Sequence, residues 1–471
     1  MQSFSVEIDH IEAGRSKKSL AEDNEVFPVD LSGDEGNPSE GDGDASGKAS
    51  FMGAIISIIN TAIGPGMLGL PYVVRQLGVL FGAIVIILGA ILLSVCSDLL
   101  QRSKNLSRHS NFVTIAQYCF KGKGKVLLAA TLIINNFGSC VIFLSIFASV
   151  AQNLFATFHP TCSGRGFIPF YCQKSFLIAI GGLLILPFNF MKSLDKLAFI
   201  NICKICCITV FAVITIGFFL VSAIEGTIAQ DIKILPTFED PISIVACIPQ
   251  VILAYNFLFN QFSIYKSMKK PQDSSMRKAV MSAMLVTAGL FLTISMSGYA
   301  VFGSATDNIL QNFTLKKLGA PLFLLLNVSF MIFSLMTFPP TYFSPRNIIY
   351  QYMKSAFVGQ SYALLSNSEK NKTSSATDES PRAKLVFNIT VCATNFLIVS
   401  LSIMAPNINE LFGLIGSLAT DTLIFLFPTA FYLKLSSKNG KKRGIAKLLF
   451  ALGLVLGALG FSANVLKIII E

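Results

Sequence analysis

The chain has 471 residues, of which 53% are hydrophobic and 13% charged, and its mean hydropathy is +0.64. Soluble domains contain fewer apolar residues, so this composition predicts an all-α polytopic protein in a lipid bilayer. The formal net charge of +11 does not indicate a nucleic acid partner, because the basic residues fall in short loops between apolar segments. The sequence contains no cluster of nucleophile, base and metal ligands of the kind that an enzyme needs.

Residues 1–50 form a polar, acidic stretch without the apolar core of a signal peptide, and they predict a disordered cytosolic tail. Residues 51–471 predict a transmembrane domain of eleven spans. The predicted spans are 51–73, 78–101, 126–157, 175–190, 195–224, 242–265, 279–302, 319–343, 385–404, 408–433 and 445–469. The stretch 344–384 contains a run rich in Ser, Thr, Asn and Lys, and it predicts a long cytosolic loop.

The distribution of Lys and Arg predicts a cytosolic N-terminus, since about 25 basic residues fall in the predicted inner loops and about six in the outer ones. This orientation places the loop that contains Cys162 and Cys172 outside, where oxidation is allowed and a disulfide between them is expected. It also places the sequon Asn312-Phe313-Thr314 outside, where Asn312 is a candidate N-glycan site.

The first span is interrupted at its centre by Gly64, Pro65 and Gly66. A proline removes one backbone donor and clashes with the preceding turn, so the helix is expected to break there. In lipid, a break survives where the freed N–H and C=O groups face protein, water or a ligand, which predicts a binding cavity. The alternative is a proline kink that serves packing alone.

The sixth span carries Asn256, Asn260 and Gln261 deep in an apolar run. Three amide side chains are costly in a membrane unless polar groups face them, so we expect a second break here. Hydrogen bonding between helices is the alternative. Breaks in the first and sixth spans are typical of carriers with a five-plus-five inverted-repeat core.

The residues 60–71, read N-T-A-I-G-P-G-M-L-G-L-P, resemble a motif of the amino acid/auxin permease family, especially its sodium-coupled neutral amino acid transporter branch. Residues 411–417 and 425–432 resemble the tenth-helix motif of the same branch. The resemblance covers about residues 51–471 and implies eleven helices, the inverted-repeat core and secondary active transport of amino acids. Such a carrier needs no cofactor apart from a transported Na⁺ or H⁺.

Two departures from this pattern leave the substrate and the coupling ion open. The family usually carries a histidine where this chain has Leu258, two residues before Asn260. The branch commonly has a serine where this chain has Pro65, which withdraws one N–H from the cradle that would hold a carboxylate.

A zwitterionic amino acid needs fixed dipoles to replace the water that it loses in the site. We expect its carboxylate to bind the amides of Gly64, Gly66 and Met67. Its ammonium group is expected to bind carbonyls around Ile63 and from Asn256 to Phe259. The residues Tyr255 and Asn260 would line the pocket. No fixed negative side chain is needed for the ammonium group, which favours a neutral amino acid.

The resemblance implies that Asn60 is a Na⁺ ligand together with hydroxyls on the eighth span. Ser334 and Thr337 are three residues apart and share one helical face, so both are candidates. The alternative is that each hydroxyl bonds back to its own helix. Asp421 and Lys204 are predicted near the membrane midplane, where they could form a salt bridge or where Asp421 could be a proton-coupling carboxylate.

A membrane amino acid sensor that signals through its cytosolic tail is the second functional hypothesis, motivated by the length of that tail. The sequence leaves open whether the membrane is the plasma membrane or that of a lysosome- or vacuole-type organelle. It predicts no oligomeric state.

Overall fold

The computed structural model is helical almost throughout. It describes residues 49–159, 162, 169–191, 198–236, 240–305, 309–365, 381–405, 407–437 and 440–470. Its helices are α1 (Phe51–Ala62), α2 (Leu70–Ser107), α3 (Phe112–Phe158), α4 (Lys174–Asn189), α5 (Ala198–Ile224), α6 (Pro241–Ala254), α7 (Gln261–Ser267), α8 (Asp273–Phe302), α9 (Ile309–Asn312), α10 (Leu315–Leu365), α11 (Pro381–Met404), α12 (Ile408–Ile415), α13 (Phe427–Leu435) and α14 (Lys441–Ile470).

Within the described chain, nine helical segments are long and apolar enough to cross a membrane, and α1 and α4 are shorter apolar helices. Together these segments correspond to the eleven predicted spans. The first span consists of α1 and the beginning of the next segment, which turns at Gly78 (φ 74°) into the second span. The fold prediction of an all-helical membrane protein is therefore confirmed.

The two halves of the chain repeat the same pattern. Each half begins with a span broken near its middle, after Ala62 in the first half and after Ala254 in the second. In each half, the third span follows a short helical stretch that turns at one residue with positive φ. These residues are Lys121 (φ 56°) in α3 and Gly319 (φ 74°) in α10. The pattern is that of a five-plus-five inverted repeat.

Two helices extend into the predicted loop 344–384. The helix α10 continues to Leu365 although it contains Pro339, Pro340 and Pro345, and α11 already begins at Pro381. Hydropathy marks where an apolar stretch ends, but a helix can extend beyond the membrane with polar residues in water. Residues 366–380 lie outside the described part of the chain.

The start of the first span is fixed to the end of α7. The amide of Ala49 donates to the carbonyl of Ser267 at 2.9 Å, and the amide of Lys269 donates to the carbonyl of Ala49 at 2.9 Å. Ser50 caps α1 by accepting a hydrogen bond from the amide of Gly53. The N-terminal end of the first broken span is thus tied to the C-terminal end of the sixth. The rest of the predicted tail, residues 1–48, lies outside the described chain.

Two further predicted sites can be located. Cys162 and Cys172 are bonded to each other, with their Cα atoms 5.8 Å apart. Asn312 is the last residue of α9 and is half-buried. Glycosylation of Asn312 stays a prediction.

Candidate substrate and ion site

The first span is broken by two extended residues that follow α1. Ile63 (φ −71°, ψ 90°) and Gly64 (φ −108°, ψ −168°) are extended, and a 3₁₀ helix follows over Pro65–Gly69. Pro65 has no amide hydrogen, and the Gly66 amide lies in the first turn, where an N–H has no carbonyl partner within its own helix. Ile63 and Met67 are buried on either side. The end of α1 and the start of the 3₁₀ helix therefore lie close together at the break.

The sixth span is broken between α6 and the 3₁₀ helix Leu258–Asn260. The amides of Tyr255 and Asn256 still bond to the carbonyls of Ile252 and Leu253, at 3.3 Å each, and close the end of α6. Asn260 is half-buried at the start of α7. As in the first span, one half-helix ends and the next one begins inside the apolar core.

The two breaks touch each other at Gly66. A methyl group placed on Gly66 would lie 2.7 Å from the backbone nitrogen of Ala254 and 2.8 Å from its Cα atom. Only a residue without a side chain allows this approach. Tyr255 anchors the break from the other side, because its hydroxyl donates to the carbonyl of Ile86 at 3.0 Å and its ring packs against Phe291. The Tyr255 side chain thus packs toward the second and seventh spans.

A polar cluster extends from the second break across the core. The side-chain amide of Asn256 donates to Oδ1 of Asn135 at 3.2 Å, and the hydroxyl of Thr420 donates to the same oxygen at 2.8 Å. Asn135 in turn donates to Asn136 at 3.2 Å. Oδ1 of Asn256 is buried and has no hydrogen-bond partner within the described structure. We call Asn135, Asn256 and Thr420 the amide cluster.

The sequence analysis missed Asn135 and Thr420. Adjacent asparagines at 135 and 136 in the middle of an apolar span were the available signal, since amides at membrane depth are costly unless they are functional or paired. Nothing in the sequence around Thr420 distinguishes its hydroxyl from those that bond to their own helix.

The predicted cation ligands lie in two different settings. The carbonyl of Asn60 accepts a 2.7 Å hydrogen bond from Nζ of Lys204, whereas Oδ1 of Asn60 is buried without a partner in the described structure. Ser334 and Thr337 are buried and donate to the carbonyls of Phe330 and Phe333, at 2.8 and 2.7 Å. Both hydroxyls therefore bond to their own helix, as the alternative interpretation held.

The interpretation of Lys204 and Asp421 as a salt bridge is wrong. Lys204 lies on α5 and reaches the end of α1, while Asp421 separates two π-helical segments, Gly416–Thr420 and Thr422–Leu426. Asp421 is buried against α14: a methyl group placed on Gly457 would lie 3.0 Å from Oδ2 of Asp421. The two charged groups contact different helices, and they do not pair with each other in the described structure.

A clasp on the predicted outer side holds the loop between α5 and α6 against the end of α8. A carboxylate oxygen of Asp231 accepts a 2.7 Å hydrogen bond from the amide of Ser304, and the amide of Lys233 donates to the hydroxyl of Tyr299 at 2.9 Å. The hydrogen bonds from Ser304 lower the pKa of Asp231. Gly303 (φ 51°) makes room, because a methyl group there would overlap the Asp231 carboxylate.

We expect this clasp to stay closed in acidic surroundings. A carboxyl group whose pKa is lower in the folded state stabilises it above the unfolded value, about 3.9, and this stabilisation disappears as the pH falls through the folded value. Hydrogen exchange of the Ser304 amide should therefore be slower in the wild type than in Asp231→Asn at pH about 5, and the difference should vanish at lower pH. Equal exchange of the two proteins at neutral pH would contradict the role of the carboxylate.

The architecture has counterparts among solved structures. A transporter of the nucleobase-cation-symport-1 family, Mhp1, in a closed conformation with bromovinylhydantoin bound, superposes with a TM-score of 0.57 at 12% identity and covers 90% of this chain and 92% of its own. MhsT in complex with L-phenylalanine superposes with a TM-score of 0.56 at 13% identity, covering 90% of this chain and 100% of its own. The fold is that of a transporter with two broken spans.

The sequence profile described as "Transmembrane amino acid transporter protein" matches residues 47–470, so the chain belongs to that family. The amino acid transporter AVT6B of Arabidopsis thaliana is 26% identical over 418 residues, 86% of each chain. Vacuolar amino acid transporter 5 of Schizosaccharomyces pombe is 22% identical and covers 83% of this chain and 86% of its own. Human solute carrier family 38 member 10 is also 22% identical over 82% of this chain, but over only 32% of its own. The resemblance to the amino acid/auxin permease family is confirmed.

Proposed function

We propose that this protein moves neutral amino acids across a membrane by alternating access, coupled to the movement of Na⁺ or H⁺. The observation that carries the proposal is the contact between Gly66 and Ala254, where two broken spans bring half-helix ends together. Half-helix N-termini attract a carboxylate and half-helix C-termini attract an ammonium group. An α-amino acid carries both groups on one carbon, so it fits opposed helix ends.

Buried charge supports a preference for neutral side chains. Lys204 reaches from α5 to the carbonyl of Asn60, three residues before Ile63, and places a positive charge beside the break. A substrate with a cationic side chain would meet a like charge in surroundings of low dielectric constant, which is unfavourable. The amide cluster offers donors and acceptors instead, which suits a small or polar uncharged side chain.

The test is uptake by the purified full-length protein in proteoliposomes. Each of the twenty radiolabelled amino acids is offered with a Na⁺ gradient, with a pH gradient or with neither, and labelled uracil serves as a probe of another class. We expect uptake of neutral amino acids that one gradient stimulates, and no uptake of uracil. Absence of uptake and of exchange for all amino acids would reject the proposal.

The sensor hypothesis predicts a different result in the same experiment. A sensor would bind an amino acid, seen as a rise in melting temperature, without flux. Removal of residues 1–48 should leave uptake intact in a transporter, because the described chain begins α1 with its own cap at Ser50. The vacuolar relative supports testing an acid-inside gradient, as an organelle membrane would provide.

A further inference from the structure

A cavity lined by basic residues lies at the predicted inner side of the last two spans. It has a volume of about 530 Å³ and lies between the end of α2, the end of α13 and the beginning of α14. Four of its lining residues are basic: Arg102, Lys441, Lys442 and Arg443. Cavities of about 300–1,000 Å³ hold small molecules, so this one, which we call the basic cavity, has room for more than a single ion.

The positive charge around the basic cavity exceeds the negative charge. Oδ2 of Asp98 lies 2.7 Å from Nε of Arg102 and 4.0 Å from Nζ of Lys442. The other oxygen of the same carboxylate lies 2.9 Å from Nε of Arg277, so three cations share one carboxylate. The ammonium group of Lys441 has no ion pair or hydrogen bond with the described residues. The cavity therefore favours an anionic ligand.

Arg443 has a donor that is not used. Its Nη1 donates to the carbonyl of Ser436, whereas its Nε is buried and has no hydrogen-bond partner in the described structure. Leaving a buried charged donor without an acceptor is costly. A phosphate group bound in the basic cavity would offer the acceptor that this donor lacks. The N-terminus of α14, a helix of 30 residues, adds its partial positive charge.

An exposed apolar face begins at the same place. Lys441, Ile445 and Leu448 are four and three residues apart on α14, so they share one face of the helix. Ile445 and Leu448 are 45% and 69% exposed, and Leu106, which lines the cavity, is also exposed. In a bilayer these side chains contact lipid tails. A ligand that fits this arrangement combines an anionic headgroup with acyl chains.

We propose that the basic cavity binds an anionic phospholipid of the predicted cytosolic leaflet, one whose inositol headgroup carries phosphate monoesters. A phosphate monoester carries a charge of about −1.5 to −2 at pH 7, so it matches the excess of positive charge better than a headgroup with a single negative charge does. Arginine and lysine side chains bind phosphate oxygens through charge-assisted hydrogen bonds. Basic cavities between membrane helices on the cytosolic side suit such headgroups. The inference does not depend on the proposed transport.

The test measures binding of a fluorescent short-chain phosphatidylinositol bisphosphate to the purified full-length protein in a neutral detergent, by fluorescence polarisation. The double variant Lys441→Gln with Lys442→Gln removes two charges from exposed side chains. We expect its affinity for the lipid to fall by about thirtyfold, because each lysine near an anionic lipid surface contributes roughly a factor of five. Its melting temperature without lipid should equal that of the wild type.

Lys269→Gln with Lys270→Gln is the matched control. These two lysines are also adjacent, exposed and on the predicted inner side, but they do not line the basic cavity. The control loses the same charge, and we expect it to bind the lipid as the wild type does. Equal weakening in both double variants would show a general attraction to a basic surface and would overturn the proposal.

Competition with unlabelled compounds identifies the ligand. Unlabelled phosphatidylinositol bisphosphate should displace the probe at concentrations at least about tenfold lower than phosphatidylserine, inositol trisphosphate or inorganic phosphate, because only this lipid offers both phosphate monoesters and acyl chains. Displacement by inositol trisphosphate at the same concentration would assign the cavity to a soluble phosphate compound. Equal displacement by phosphatidylserine would contradict a role for phosphate monoesters. Binding that appears only after removal of residues 1–48 would show that this acidic segment occupies the cavity in place of a lipid.

Discussion

Gly66→Ala is expected to reduce amino acid uptake by about fivefold to a hundredfold, because misfits of added methyl groups in packed cores cost about 1–3 kcal/mol and 1.4 kcal/mol is a factor of ten. The added methyl group would lie 2.7 Å from the nitrogen and 2.8 Å from the Cα atom of Ala254, and 3.1 Å from the carbonyl carbon of Leu253. All three are backbone atoms, so a rotamer change cannot relieve the overlap. The two breaks must then separate, which displaces the helix ends that would bind substrate.

Gly289→Ala is the matched control for this experiment. Gly289 lies within α8, and a methyl group there would meet no atom within 4 Å. Alanine is also a better helix former than glycine, so this variant should transport as the wild type does. Melting temperatures of both variants separate a folding defect from a transport defect. Wild-type uptake in Gly66→Ala would show that the two breaks do not need their close contact.

Local signals in the sequence predicted the breaks. Gly64, Pro65 and Gly66 interrupt an apolar stretch of spanning length, and a proline there cannot continue the backbone hydrogen bonds of a helix. The amides in the sixth span indicated a second interruption, and the structure places it at Asn256. Hydropathy also predicted the number of spans, because a fixed membrane thickness sets the length of each apolar stretch.

Contacts between distant spans could not be predicted in this way. Lys204 and Asn60 are 144 positions apart, and Asn135 and Asn256 are 121 apart. Each residue is recognisable in the sequence as an isolated polar group in an apolar span, but its partner depends on how the helices rotate and pack. For this reason the sequence analysis could offer Asp421 only as one possible partner of Lys204, whereas the structure pairs Lys204 with a backbone carbonyl. Every residue has a backbone carbonyl, so the sequence does not indicate which of them Lys204 contacts.

Asn135→Leu is expected to reduce uptake by about tenfold or more, since each buried donor left without a partner costs about 1–3 kcal/mol. Oδ1 of Asn135 accepts from Asn256 at 3.2 Å and from Thr420 at 2.8 Å. Leucine has the same branching at Cγ, but it leaves both donors unpaired beside the break. The expected defect is a weaker substrate affinity, measured as a raised KM for the neutral amino acid that the uptake scan identifies.

Thr131→Val is the control on the same helix. Thr131 is buried one turn before Asn135, but its hydroxyl donates to the carbonyl of Leu127 and not to the amide cluster. We expect its KM to equal that of the wild type. If Thr131→Val and Asn135→Leu raised KM equally, the effect would come from disturbing α3 and not from the cluster.

A double-mutant cycle with Thr420→Val tests whether the amide cluster acts as one unit. Asn135 belongs to the third span and Thr420 to the tenth, so their shared hydrogen bond joins the two halves of the chain at the level of the second break. Residues in one hydrogen-bond network typically show interaction energies of about 0.5–3 kcal/mol, whereas independent sites are additive. Because Asn135→Leu already removes the acceptor of Thr420, the second substitution should add little to the first. If the losses of uptake in the two single variants were additive, the function of Asn135 would depend on its hydrogen bond with Asn256 and not on the one with Thr420. The tenth span would then not help to position the break in the sixth span.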